Sequence, residues 1–160
     1  MKDNLARWFS KAQRIVIVGV GNSIRRDDNI GVEIVNGLKG KVTKDVFLIK
    51  SETVPESFIE PIVEFKPTHI LIIDAGLMNL SPGTAKIVET IEVSKTAISI
   101  HALPIQIFCE YLAKMTDAKV AIILVQPKDT SLGEGLTHEL DLAREKLVDY
   151  LAKIIESVVR

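Results

Sequence analysis

A chain of 160 residues, 47% of them hydrophobic and with mean hydropathy +0.24, has the size of one domain and enough apolar material for a packed core, which excludes a disordered chain. Twenty basic and 21 acidic residues leave a net charge of −1, so nothing predicts electrostatic binding to nucleic acid. No apolar run reaches the roughly 20 residues of a membrane span, and the opening MKDNLARWFSKAQR carries charges throughout where a secretory signal has an apolar region. The single cysteine, Cys109, precludes an intrachain disulfide and fits a reducing, cytoplasmic setting.

Leu5, Trp8, Phe9 and Ala12 fall at i, i+3, i+4 and i+7, which predicts a helix over residues 4–13 with one apolar stripe. Residues 14–18 form a β-branched run without alternation, as in a strand buried on both faces. The run breaks at Gly19 and Gly21; Asn22 and Ser23 follow, then the adjacent acids Asp27 and Asp28. A buried strand that ends in glycines and then presents acids is how a parallel sheet builds a site at its carboxyl edge. A helix is expected over 30–38, closing at Gly40.

A short strand at 46–49 leads to Pro55 and Glu56, which open a helix with Phe58, Ile59, Ile62, Val63 and Phe65 on its apolar face. Residues 70–73 are a third buried strand ending on Asp74. The run NLSPG at 79–83 predicts a turn, and the alternating residues 86–92 predict an edge strand in an inserted hairpin. Pro104 occupies a first helical position, with Ile105, Phe108, Leu112 and Met115 as the stripe. Residues 120–125 are the next buried strand and 126–135 a loop. Thr137 is placed to cap a last helix that carries Leu140, Leu147, Leu151, Ile154 and Val158 on one side. The order predicts a single α/β domain over 1–160, a three-layer sandwich with a twisted, mostly parallel sheet of about five strands between helices.

Three polar residues stand just past strand ends or before a helix: Asp28, Asp74 and His101. In a parallel sheet such loops converge on one edge. Two carboxylates and an imidazole can hold Zn²⁺, Ni²⁺ or a similar ion with positions left open, although their spacing matches no short metal motif. Each also has a plainer reading: Asp28 as a helix cap, Asp74 as an acceptor for loop amides, His101 as a loop histidine. His69 and His138 read as ordinary histidines, and Cys109 as a small core residue on a helix face. The glycine pair lacks the third glycine of a dinucleotide fingerprint, with Lys50 where an acid belongs, and no G-x-S-x-G elbow occurs. A phospho-receiver shares paired acids after strand one, an acid ending strand three and a late lysine, here Lys128. However, residues 19–26 separate the first strand from its acids. A receiver, a non-catalytic module that holds a metal-bearing partner, and a metal-reading enzyme remain open on these residues.

The chain resembles the nickel–iron hydrogenase maturation endopeptidases. Gly21, Asn22, Asp27, Asp28 and Gly31 are similar to the family's G-N-x-x-x-x-D-[DE]-G-x-G loop, and Pro55-Glu56 to its P-E pair. Ile73-Asp74-Ala75 and Pro82-Gly83-Thr84 resemble its V-D-A and P-G-T segments. Residues 99–104, SIHALP, resemble T-T-H-x-x-P, and Gln126-Pro127 its later Q-P. The matches come in order and span nearly the whole chain. The resemblance implies a protease that removes a C-terminal extension from the hydrogenase large-subunit precursor after nickel insertion. It implies that Asp28, Asp74 and His101 meet nickel supplied by that precursor, that Asp28 and Asp74 serve the cut, and that no organic cofactor is used. Glu56 and Asn22 are expected to contact the substrate. The metal's part, as a recognition tag or a Lewis acid, stays open.

Two positions depart from the pattern. Asn29 stands where the family has a glycine after the acid pair, and is expected to preserve a left-handed turn. Leu77 stands where some members carry a second aspartate. The N-terminal helix extends beyond the minimal family start.

Overall fold

The structure is a computed structural model that describes residues 1–89, 98–99 and 102–159. Among the described residues the elements follow in the order α1 (Lys2–Trp8), β1 (Ile15–Val20), α2 (Ile30–Leu38), β2 (Val46–Glu52), α3 (Ile59–Phe65), β3 (His69–Leu77), β4 (Ala85–Glu89), β5 (Ile98–Ser99), α4 (Ala102–Met115), β6 (Lys119–Val125) and α5 (His138–Val158). Short 3₁₀ turns, Arg26–Asn29 and Pro55–Phe58, precede α2 and α3.

The strand order is β2-β1-β3-β6-β4, and β5 adds to β3. Strand β1 runs parallel to β2 and β3, β3 runs parallel to β6, and the pairs β4–β6 and β3–β5 are antiparallel. The central strands are buried along both faces, which is why their sequences are apolar without alternation. On one face Ile15, Ile17, Leu71, Ile73, Ala121 and Ile123 pack with α1, α2 and α5. On the other, Val16, Val18, Ile70, Ile72, Ile122 and Leu124 pack with Ile62 of α3 and with Ile105, Phe108, Cys109 and Leu112 of α4. This is the expected three-layer sandwich. Each fully buried aliphatic side chain contributes about 1.5–3 kcal/mol over its exposed state, so the two faces supply most of the driving force.

Several expectations need correction. Helix α1 starts earlier and ends at Trp8, with the chain turning through Lys11 at φ 65°, yet the whole predicted stripe from Leu5 to Ala12 is buried. Strand β3 does not stop before Asp74. It runs on to Leu77, because β6 continues to pair Asp74 and Ala75, and β5 pairs Gly76 and Leu77. The NLSPG segment does not close a hairpin, since β6 lies between β3 and β4. The Gln126 amide N–H donates to the Thr84 carbonyl and the Gly83 N–H to the Gln126 carbonyl, each at 2.8 Å, and this carries the chain across the end of β6. Met115 is half exposed; Cys109 takes its place in the buried face of α4. Residues 90–92 of the predicted edge strand lie outside the described residues.

Candidate active site

The carboxyl ends of β1, β2, β3 and β6 point to one edge of the sheet, and the loops leaving them carry the candidate chemistry. At the end of β1 the ladder shifts register between Gly19 and Val20. The Ser51 hydroxyl donates to the Gly19 carbonyl at 3.1 Å and the Gly21 N–H to the Glu52 carbonyl at 2.9 Å, so β2 fixes how the loop departs. The Asn22 carboxamide oxygen then accepts the Ile24 N–H at 3.1 Å, an Asx turn.

The Asn22 N–H donates to Oδ2 of Asp28 at 3.0 Å, closing the loop on itself. Asp28 is therefore not a helix cap. Its carboxylate bonds back toward β1, and neither the 3₁₀ turn nor α2 has a side-chain cap. Gly31 allows the turn to sit this low. A Cβ there would stand 2.1 Å from the carbonyl oxygen of Ile73 and 2.6 Å from that of Val20, so α2 starts in backbone contact with β1 and β3. Ile73 immediately precedes Asp74, and the Asp28 turn accordingly packs against the strand that bears the second acid. Asp28 and Asp74 are both buried, and Oδ1 of Asp74 accepts the Ala75 N–H at 2.8 Å.

His101 lies outside the described residues. Among the described residues no group of three or more His, Cys, Asp and Glu side chains forms a metal cluster, so a ligand set built on Asp28 and Asp74 needs a donor from elsewhere. Their carboxylate oxygens suit hard or borderline divalent ions. Asn22 serves the loop through its backbone and side chain, as described. Glu56 is exposed on the 3₁₀ turn after β2, which the Ser57 N–H closes on the Val54 carbonyl at 3.1 Å.

Position 29 needs no glycine: Asn29 has φ −88°, open to any residue, and its amide donates to Glu33 at 3.3 Å. The left-handed residue of the loop is Arg26, at φ 43°. Thr137 is the N-cap of α5, but its hydroxyl bonds Asp27 and not a helix amide. Asp27, which sequence reasoning noted as half of an acid pair without giving it a role, is fully buried and bonded to the far side of the site. Its adjacency to Asp28 was the available signal, and its partners a hundred residues away were not.

The remaining titratable candidates resolve simply. His69 sits buried beside Trp8 and Phe9, with Nδ1 2.9 Å from the Thr68 hydroxyl; burial and the nearby Lys119 charge lower its pKa and favour the neutral ring. Burial pushes the Cys109 thiol up to about 12, which makes it an inert core residue. Lys128 forms an ion pair with Glu139 that raises its pKa and lowers that of Glu139, so the lysine a receiver would need is engaged elsewhere. The antiparallel β4 also departs from an all-parallel receiver sheet.

The site thus belongs to a mostly parallel α/β domain with three buried acids, Asp27, Asp28 and Asp74, at its carboxyl edge. The family model described as hydrogenase maturation protease, HycI, matches residues 32–157. A Methanocaldococcus jannaschii protein classed among the hydrogenase maturation proteases is 35% identical over 99% of this chain and 98% of its own. The hydrogenase 3 maturation protease of Escherichia coli is 28% identical over 85% and 87%. The crystal structure of the [NiFe] hydrogenase maturation protease HycI from Thermococcus kodakarensis superposes with TM-score 0.88 at 32% identity, covering 96% of this chain and 99% of that one. The chain belongs to the hydrogenase maturation protease family and is a peptidase of that fold.

Proposed function

We propose that this peptidase removes a C-terminal extension from the large-subunit precursor of a [NiFe] hydrogenase, and that it reads nickel already seated in that precursor. The observation that carries the reading is the pair of buried carboxylates, Asp28 and Asp74, on adjacent elements at the carboxyl edge of a chain of this family. Nickel here belongs to the substrate. Asp28, Asp74 and His101 add ligands to those the precursor supplies, and no organic cofactor takes part.

Two oxygen donors hold a divalent ion weakly on their own. Added to a partly ligated ion they favour nickel-loaded over nickel-free precursor, and every 1.4 kcal/mol of that preference is a tenfold selection. For the cut, a carboxylate of the pair takes a proton from the attacking water as its oxygen adds to the scissile carbonyl, and returns that proton to the amide nitrogen as the tetrahedral adduct collapses and the C–N bond breaks, releasing the extension as a free amine. Glu56, exposed on the same edge, is the proposed contact to the substrate chain. A polypeptide substrate is supported by four exposed apolar side chains at the carboxyl ends of the parallel strands, Leu77 (52% exposed) as the last residue of β3 and Ile24 (52%), Val54 (44%) and Leu132 (68%) on the loops after β1, β2 and β6. The single, buried cysteine fits work in the reducing cytoplasm.

The test is incubation with a large-subunit precursor, with and without nickel, followed by mass spectrometry of its C-terminus. A new C-terminus from the nickel-loaded form alone is expected. Equal cutting of both forms overturns the nickel reading. Binding without a new C-terminus overturns the cleavage and leaves a holding module.

A further inference from the structure

The Asp27 carboxylate takes no part in the proposed chemistry, yet it gathers four donors. Oδ2 accepts the N–H groups of Lys128 and Asp129, each at 2.9 Å. Oδ1 accepts the Thr137 N–H at 2.8 Å, and the Thr137 hydroxyl is shared between the two oxygens at 2.8 and 3.0 Å. All of these donors belong to the loop between β6 and α5 or to its last residue, about a hundred residues along the chain.

The backbone on either side is joined to the same loop. The Asp27 N–H donates to the Asp129 carbonyl at 3.1 Å, the Arg26 N–H to the Gly133 carbonyl at 3.2 Å, and the Gly133 N–H to the Ile24 carbonyl at 2.9 Å. Arg26, held at φ 43°, lays its guanidinium where a Cβ on Gly133 would stand and pairs with Asp129 at 3.8 Å. A non-glycine residue in that region persists only where its surroundings over-determine it.

We infer that Asp27 is a positioning residue whose carboxylate pins the Asp28 turn to the β6–α5 loop, fixing where Asp28 stands against β3. The inference rests on the reading that Asp28 serves the cut. The chemistry requires a carboxylate and not merely a polar side chain. Both oxygens face only donors, so an amide in either orientation turns its NH₂ toward N–H groups and abandons one set.

The test compares wild type with Asp27→Asn, Thr137→Val and Thr137→Ser, each checked for folding by circular dichroism. Two measurements are made: kcat and KM on nickel-loaded precursor, and amide hydrogen exchange along the chain. Asp27→Asn is expected to lower kcat by about 100-fold with little change in KM, since small misplacements at a reacting centre carry costs of that order. Thr137→Val is expected to fall between Asp27→Asn and wild type, and Thr137→Ser, which keeps the hydroxyl, to restore kcat. Exchange is expected to quicken at residues 22–28 and 128–137 while β1, β3 and β6 stay protected. Should Asp27→Asn fail to fold, Thr137→Val carries the comparison. A wild-type kcat in the folded variant, a change confined to KM, or unaltered exchange in the two loops overturns the inference. A wild type that leaves the precursor uncut overturns the proposed function, and the exchange pattern then decides the pin by itself.

Discussion

Two adjacent acids at the same depth do different work. Asp28 closes its own loop through the Asn22 N–H, whereas Asp27 reaches across to the β6–α5 loop. Asp28→Asn keeps a near-isosteric acceptor for the Asn22 amide. Because the isosteric swap keeps that bond, its stability cost is expected to stay near ~1 kcal/mol. Processing of nickel-loaded precursor is expected to fall by about 100-fold or more, since the carboxylate is a proposed ligand and one of the two acids proposed to serve the cut. Thermal melting with mass spectrometry of the precursor checks both halves; unchanged cleavage refutes the role. Asp28 was legible in the sequence because a glycine-broken strand followed by acids has few structural uses. The backbone of the same loop was not. Asn29 drew attention as the glycine substitute, while the left-handed residue is Arg26, whose conformation follows from partners at Asp129 and Gly133 that no local pattern displays.

Elements deliver these residues through backbone contact as much as through side chains. Helix α2 begins against the carbonyl groups of Ile73 and Val20, with only a hydrogen of Gly31 between. Gly31→Ala drives a methyl group to 2.1 Å from a main-chain oxygen in the middle of the sheet, which cannot step aside as a flexible side chain would. A destabilisation of about 3 kcal/mol is expected, at the upper end for overpacking, read as a lower urea midpoint with an unchanged slope. Any folded fraction should also cleave poorly, because lifting α2 lifts the Asp28 turn from β3. Strands β1, β3 and β6 were readable since burial on both faces removes alternation. The hairpin was misread because partner choice is non-local: β4 follows β3 in sequence but pairs with β6, directed there by Gln126 bonds to Gly83 and Thr84. Thr137 looks like an N-cap and stands at that position, yet a buried carboxylate from the first loop competes for its hydroxyl and wins.

At the scale of the molecule, the parallel order β2-β1-β3-β6 gathers four strand ends at one edge, and each end or the loop leaving it bears an exposed apolar side chain: Val54, Ile24, Leu77 and Leu132. Leu77, the departure that replaces a possible acid, thereby joins the rim. Ile24 and Leu132 belong to the two segments joined by the Gly133–Ile24 and Arg26–Gly133 hydrogen bonds, so this part of the rim is held in place before any partner arrives. If the substrate chain rests here, an acid in the rim penalises docking without touching the chemistry. Burial of a leucine side chain is worth about 2 kcal/mol. Leu132→Asp is thus expected to raise KM for nickel-loaded precursor by about tenfold or more, with kcat and the melting temperature near wild type. Met115→Asp is the matched control: Met115 is 50% exposed at the last residue of α4, where the chain turns into the start of β6 at the opposite edge of the sheet, and its KM should not move. Equal effects from both variants would point to a general response to added negative charge; no effect from Leu132→Asp would remove the rim from the docking surface. A rise confined to Leu132→Asp would place substrate selection in the rim and leave the chemistry to the acids beneath it.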